Sequence, residues 1–483
     1  MFRFCTLISV LFLTLGLVNC TVGPDFDVPK GPDVYSYTEI PLNVKNSKKN
    51  LQQLIWGKDL VSEWWRMFQS PSLNALIERG LQNSPNLQAA KAALAMAQEN
   101  LNAQVGALIY PSVNLEFQAQ RQKYSGASTG SPGSPPTTYN LYSPSMNVSY
   151  TFDIFGGNQR QLETFHAQVN YQHFIWEAAY LTLTSNIVLA VIREAALREQ
   201  IQTTQELIDL QEHILIIVQE QFEVGSVSQS DVLSQKILLS ETQASLPLLQ
   251  RLLSQSRHAL AALVGEFPQK NTAPEFLLKD LHLPKNLPIS LPSELVKQRP
   301  DIRAALALLH QASAQIGVAV ANLFPTLTLT GTAGSMSNST HDLFANSSTV
   351  WGITSTLLQP IFNAGSLKAK ERAARQGYEQ AFAEYRQTVL EAFQNVADVL
   401  RALEFDAQAL KIRSFGERSA WVALVLAQEQ FRFGAINYLT LLNAEIQYGQ
   451  ARLNLTRARG LLYEDTVALF QALGGGWWNR EKA

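Results

Sequence analysis

The sequence is poor in cysteine, in charge and in unbroken apolar runs. Among 483 residues only Cys5 and Cys20 carry thiols, too few for a disulfide framework or a cysteine-based zinc cluster. Charged residues make up 16% and the formal net charge is −2. No basic excess is available to neutralise phosphates, which argues against a nucleic-acid partner. With 46% hydrophobic residues the composition is also not that of a disordered chain. Beyond the N-terminus no run of 18 or more consecutive apolar residues occurs, so no spanning helix is expected in the mature chain. Proline is missing from 145–246 and from 361–483. Both stretches are rich in Ala, Gln, Glu, Leu and Arg, which favour helix.

The N-terminus reads as a targeting segment. Arg3 precedes an apolar run from Leu7 to Val18, the size of a signal-peptide core and too short to span a membrane. The run stops at Leu17-Val18-Asn19-Cys20. That resembles a bacterial lipobox, in which the cysteine is lipidated and begins the mature chain, although Asn19 departs from the small residue usual there. An ordinary secretory signal ending nearby is the alternative. Residues 1–19 are thus expected to be a signal peptide and Cys20 the lipidation site. Thr21 in place of Asp favours the outer membrane over inner-membrane retention.

Length alone suggests roughly three domains, but the chain repeats itself. Residues 219–225 read QEQFEVG and 428–434 read QEQFRFG, an offset of 209. Val232-Leu233 matches Leu441-Leu442 at the same offset. Pro85, Ala89, Ala90, Leu94 and Ala97 match Pro300, Ala304, Ala305, Leu309 and Ala312, and Ile154-Phe155 matches Ile361-Phe362. A period that long is a duplicated domain, not a solenoid. The expected boundaries are 20–70 for an N-terminal segment, 71–266 and 293–476 for the two repeats, a proline-rich linker at 267–292, and a tail at 477–483.

Helices are expected at 71–82, 84–109, 157–222, 228–264, 300–322, 365–433 and 436–473, with Pro247 ending or kinking the fourth. The two longest would each rise about 100 Å. Strands are expected at about 111–121, 143–153, 324–333 and 349–361. In the first, Val113, Leu115, Phe117 and Ala119 alternate with Ser112, Asn114, Glu116 and Gln118. In the second, Met146, Val148, Tyr150 and Phe152 alternate with Ser145, Asn147, Ser149 and Thr151. Leu327 and Leu329 alternate with Thr326, Thr328 and Thr330, and Trp351, Ile353 and Leu357 with Gly352, Thr354 and Thr356, Ser355 being the exception on the apolar face. Each run has the length of a tilted membrane strand. A half-buried soluble sheet would show the same alternation. Open sheet edges cannot face lipid, and bacterial barrels start at eight strands. Four strands therefore require several chains: two give eight strands with a filled interior, three give twelve and room for a channel.

Several motifs then converge on one family. Thr21-Val-Gly-Pro-Asp-Phe-Asp-Val-Pro29 is similar to the opening of outer-membrane efflux lipoproteins of the TolC/OprM type. So are Trp64-Trp65-Arg66-Met67-Phe68 with Pro71, Leu73, Leu76 and Ile77; Arg299-Pro300-Asp301-Ile302; Gln359-Pro360-Ile361-Phe362; and Asn437-Tyr438-Leu439-Thr440-Leu441-Leu442. The chain resembles a member of this outer membrane factor family over essentially its whole mature length. The resemblance implies an α+β membrane protein, a homotrimer whose 12-stranded β-barrel continues into a periplasmic α-helical barrel. It places residues 20–70 in part in an equatorial region, with Trp64 and Trp65 as packing anchors. The implied partners are a periplasmic adaptor, an inner-membrane pump of the RND type and the lipid bilayer, with no nucleic acid.

The two QEQF-type segments end at Gly225 and Gly434, where glycine supplies a left-handed turn. Ser228, Ser230 and Asp231 can cap the returning helix. The resemblance makes these turns the periplasmic tips, where an adaptor docks and the tube closes, with Gly225, Ser228, Asp231, Gly434, Tyr438 and Leu439 as candidate contacts. Family members carry acidic residues near Ile436 and Asn443; both positions are uncharged here, leaving Asp231 as the available acid. Tyr438 and Leu439 could plug a narrow iris or pack between helices.

Signs of catalysis are few. His166 and His173 share a helix face without a ligand set, Gly474-Gly475-Gly476 lacks the rest of a phosphate loop, and His341-Asp342 is a lone pairing. No cofactor, metal or catalytic residue is assigned. The reading is a passive exit duct of a tripartite efflux pump. A duct for type I protein secretion is the alternative, and a coiled-coil envelope protein the alternative of another class.

Overall fold

The computed structural model describes residues 21–40, 52–125, 127, 130, 133, 135–270 and 272–480. Cys20 and the signal segment lie outside them. In chain order the elements are β1 (Gln53–Trp56), α1 (Pro71–Asn83), α2 (Pro85–Ile109), β2 (Ser112–Tyr124), β3 (Thr137–Phe152), α3 (Gly157–Glu223), α4 (Gln229–Leu263), β4 (Asn286–Ile289), α5 (Pro292–Gln298), α6 (Pro300–Ala321), β5 (Thr326–Ser335), β6 (Thr349–Leu358), α7 (Ser366–Arg432) and α8 (Tyr438–Ala472). The chain is mostly helical, and α3 and α7 each run 67 residues. It divides into two compact units, each assembled from three segments.

One unit comprises residues 1–29, 93–172 and 304–385. It holds an antiparallel sheet in the order β2-β3-β5-β6. The register aligns the alternation of every strand. Val113 faces Val148, Leu115 faces Met146, Tyr150 faces Leu329, Leu327 faces Leu357 and Ala333 faces Trp351. The other face carries Asn114, Glu116, Asn147, Thr151, Thr328, Thr332 and Thr354, tied by side-chain bonds. Thr332 Oγ1 donates to Asn147 Oδ1 at 3.0 Å, and Thr151 and Thr328 hydroxyls sit 3.1 Å apart. One-residue slips would mix the two faces, so the pattern fixes the pairing.

The first hairpin is longer than the alternation suggests. β2 continues to Tyr124 and β3 begins at Thr137, where 111–121 and 143–153 were expected. After Ala119 both faces become polar and the apolar signal vanishes. Cross-strand pairs carry the ladder on: Gln122 Nε2 donates to the Tyr139 hydroxyl at 2.7 Å, and Tyr124 stacks on Tyr139 at 5.6 Å. β6 ends at Leu358, short of 361, just before Pro360.

The segment after Cys20 is pinned to this unit. The Val22 amide donates to the Phe155 carbonyl at 3.1 Å. Arg160, nearly buried, donates to the Val22 carbonyl at 3.2 Å and pairs with Asp25 at 2.7 Å. Phe26 stacks on His310 with centroids 4.3 Å apart. Gly23 passes so close to Gly317 that a Cβ on it would lie 2.5 Å from the Gly317 Cα.

The other unit comprises residues 30–92, 173–303 and 386–483. Its core surrounds Trp64, Trp65 and Phe68, all buried, with Phe470 against Trp64 at 5.2 Å. Arg299 is buried between helices, pairs with Asp301 at 2.6 Å and donates to the Ala472 carbonyl at 3.0 Å. The 267–292 segment, expected as a proline-rich linker, contains β4, which pairs in parallel with β1. Four-residue strands whose partners lie over 200 residues apart leave no periodic signal. The expected tail is docked: Trp477 Nε1 donates to the Gln298 carbonyl at 2.6 Å, and Arg480 pairs with Glu177 at 2.6 Å while lying 4.1 Å from the Tyr180 ring centroid. Pro247 does not end its helix, since α4 runs unbroken around it. Averaged over 18 residues, α3 and α6 each contain a stretch apolar enough to cross a bilayer, and half of the α3 stretch is buried inside the chain.

Candidate functional site

Two helix-to-helix turns carry the candidate residues, and both are built the same way. Gly225 and Gly434 have φ of +76° and +72°. The amides of Ser226 and Ala435 donate back to the carbonyls of Gln221 and Gln430 at 2.9 and 2.8 Å. The amides of Gly225 and Gly434 reach the Phe222 and Phe431 carbonyls, each at 2.9 Å. This is the Schellman closure of a helix on a left-handed residue. Nothing lies within 4 Å of a Cβ built on either glycine, so the backbone conformation alone demands glycine.

The returning helices are capped differently. At α4 the Ser228 hydroxyl accepts from the Asp231 amide at 3.3 Å, and Asp231 Oδ2 accepts from the Ser228 amide and hydroxyl, both at 2.9 Å. This is a full capping box. Asp231 thus caps the returning helix as the sequence suggested, and its carboxylate is committed to its own helix end. At α8 the Asn437 side chain accepts from the Thr440 amide at 3.0 Å.

Tyr438 is buried within the chain. Its ring meets Phe431 edge-on at 6.2 Å, inside an apolar cluster of Ile214, Val218, Val232, Leu424, Ala427 and Leu441. Its hydroxyl donates to Gln235 Oε1 at 2.8 Å. Leu439, by contrast, is 60% exposed; Phe433 before the same turn is exposed too, and Phe222, Val224 and Leu233 are exposed at the other turn. The structure thus groups Gly225, Ser228 and Asp231 in one turn and Gly434, Tyr438 and Leu439 in the other. The two turns are linked by Tyr438–Gln235 and by Gln221 Nε2 donating to the Phe431 carbonyl at 3.4 Å.

Sequence reasoning missed two residues of this cluster. Gln235 on α4 is fully buried and Glu445 on α8 almost so. Gln235 Nε2 lies 3.2 and 3.3 Å from the two Glu445 carboxylate oxygens and 3.4 Å from the Gln211 carbonyl. Burial pushes the Glu445 carboxyl up to about 7, against the pull of the Gln235 amide. Burial also raises the Tyr438 phenol, and Glu445 and Asp231 add to it. The available signal was the seven-residue spacing of Tyr438 and Glu445, two turns apart on one helix face.

Among the described residues no group of three or more His, Cys, Asp or Glu side chains is placed to hold a metal. His166 and His173 lie on α3 without such a set.

Similarity to known proteins agrees with this geometry. The family described as outer membrane efflux protein matches residues 76–266 and 291–475. The pyoverdine export outer membrane protein OpmQ of Pseudomonas aeruginosa is 31% identical over 420 residues, covering 86% of this chain and 88% of that one. The toluene efflux pump outer membrane protein TtgC of Pseudomonas putida is 28% identical over 486 residues, covering 98% and 96%. Among solved structures, the outer-membrane channel OprN superposes with a TM-score of 0.87 at 27% identity, over 95% of this chain and 100% of that one. The chain belongs to the outer membrane efflux protein family, transport channels of the Gram-negative outer membrane and not enzymes.

Proposed function

We propose that three copies of this chain form the exit duct of a tripartite efflux pump. In this reading each copy, an internal duplication, lends four strands to a 12-stranded barrel, and the long helices line a tunnel leading to it. The observation that carries the reading is the sheet. It has one apolar face, one polar face knit by hydroxyls and amides, and edge strands β2 and β6 with no partner among the described residues. In lipid such edges must be closed, and twelve strands leave a lumen where eight do not. The 67-residue helices support the tunnel, each rising about 100 Å.

An adaptor docks at the two glycine turns and an inner-membrane pump of the RND type supplies the energy. Relatives are named for cargoes as unlike as pyoverdine and toluene, which supports selection by the pump and passive passage through the duct. Lipidation at Cys20 fits the pinning of Val22, Gly23 and Asp25 beside the end of β3, because the acyl chains would then start next to a strand terminus. The test is mass measurement in detergent combined with planar-bilayer recording. Three chains per particle and a stable conductance are expected; a monomer that conducts would overturn the shared barrel.

A further inference from the structure

The polar cluster beneath the turns does not belong to helix capping or to the apolar packing. Its centre is a carboxyl group with too few partners. Gln235 and Glu445 are 0% and 1% exposed. Glu445 receives one donor group, the Gln235 amide, and no Lys, Arg or His is ion-paired with it among the described residues. From α3 the neighbour is Gln211, uncharged, whose own Oε1 is buried without a donor. From α4 come Gln235 and, one turn nearer the helix start, Asp231. From α7 come Leu424, Ala427 and Phe431, and from α8 Tyr438 and Leu441. The titratable groups of the cluster, Tyr438, Tyr448 and, beside Tyr438, Asp231, are acidic and offset no negative charge. A buried carboxylate so placed is costly, while the neutral acid is not. The neutral form also brings a donor to a cluster holding an orphan acceptor.

We propose that Glu445 is a proton-operated staple: protonated, it holds the α3–α4 and α7–α8 turns together through Gln235 and Tyr438, and loss of the proton drives the two hairpins apart. Gln235 and Glu445 lie 210 residues apart in sequence, so the staple joins the two halves of the chain and not the arms of one hairpin. The sign follows from burial. A carboxyl raised from 4.5 to about 7 holds its proton more tightly packed than solvated. The closed arrangement is therefore fully favoured below about 4.5 and loses that advantage as pH rises through about 7. Its link to conduction rests on the duct reading; the staple itself does not.

Amide hydrogen exchange on the assembled full-length protein tests it, following residues 226–240 and 435–448 at pH 5 and pH 8, corrected for intrinsic rates. In wild type, exchange should be about tenfold faster or more at pH 8. Glu445→Gln, a neutral isostere, should keep the slow pH 5 behaviour at both values. Gln235→Ala removes the amide donor and should exchange fast already at pH 5, which keeps the proposal testable if Glu445→Gln assembles poorly. Wild-type exchange independent of pH, or an undiminished response in Glu445→Gln, would overturn the staple. Planar-bilayer conductance on the same proteins separates the two readings. A current that rises with pH in wild type and stays flat in Glu445→Gln ties the staple to the duct. No current from any protein sinks the duct reading and leaves the exchange data to judge the staple.

Discussion

In the proposed barrel, arginine placed on either face of β3 should give opposite results, and the sheet allows the size to be worked out. Along β3, positions on the apolar face run from Phe152 through Tyr150, Val148, Met146 and Pro144 to Tyr142. At about 3.3 Å per residue and a tilt near 40°, that stretch covers about 25 Å of membrane normal, the height of an outer-membrane apolar band with aromatic residues at both rims. Its midpoint falls at residue 147, so Val148 sits within about 3 Å of the midplane. Val148 is flanked by Val113 on β2 and Gly331 on β5, with no acidic side chain on its face for an arginine to pair with. Val148→Arg should then carry the full midplane cost of about 2–4 kcal/mol. Asn147 points to the other face and would give up bonds of 3.0–3.4 Å to Thr332, Ser145 and Glu116. An arginine there gains the Glu116 carboxylate on an exposed surface, so the net cost should stay below about 1 kcal/mol. Urea unfolding of the assembled protein reconstituted in phospholipid vesicles measures the first effect. Reversal potentials in asymmetric salt measure the second, with Asn147→Arg moving selectivity toward anions. Equal costs for the two variants, or a selectivity change confined to Val148→Arg, would refute the assignment of faces.

Tyr438→Ala should open a cavity beside Phe431 worth about 3–4 kcal/mol of local stability, whereas Tyr438→Phe loses only the bond to Gln235, about 1–2 kcal/mol. Exchange protection at residues 435–448 should rank wild type, Phe, Ala, and basal conductance should rise more in Tyr438→Ala than in Ser230→Ala. Gly225→Val and Gly434→Val meet no steric neighbour, so each should cost at least about 1–2 kcal/mol for the left-handed backbone alone and weaken adaptor-dependent export; unchanged export at normal protein levels would contradict docking at the turns. Cys20→Ala should abolish labelling by radioactive palmitate while the strands keep the protein in the membrane fraction, and an unmodified N-terminus elsewhere would refute lipidation there.

What could be read from sequence was local. The four strands declared themselves because one face of each is apolar, and the turns because glycine, serine and aspartate act within a few residues. The polar end of the first hairpin did not, because Gln120, Arg121, Gln122 and Lys123 carry no alternation; only pairing with β3 makes them strand. β1 and β4 stayed hidden for the same reason. At the tips, capping by Ser228 and Asp231 was legible, because both act within one turn of the helix start. The Gln235–Glu445 contact joins positions 210 apart. The repeat offset of 209 pairs Gln235 with Ala444, one residue short of the partner the packing chose.

The edges of β2 and β6, without a strand partner among the described residues, would also shape how the protein is made. A lone chain in the bilayer would expose two rows of backbone donors and acceptors to hydrocarbon, each group costing several kcal/mol. In the proposed shared barrel the sheet would have no stable life as a monomer in lipid, and insertion would proceed together with the meeting of subunits. Before that meeting, two complementary edges on one molecule invite open-ended growth, since head-to-tail contacts form rings only when the rotation closes. Newly exported chains would thus depend on escort through the periplasm at low free concentration. The same arithmetic predicts genetic dominance: a copy carrying a proline in the middle of β6 would spoil each ring it joined, and function would fall faster than the fraction of altered chains.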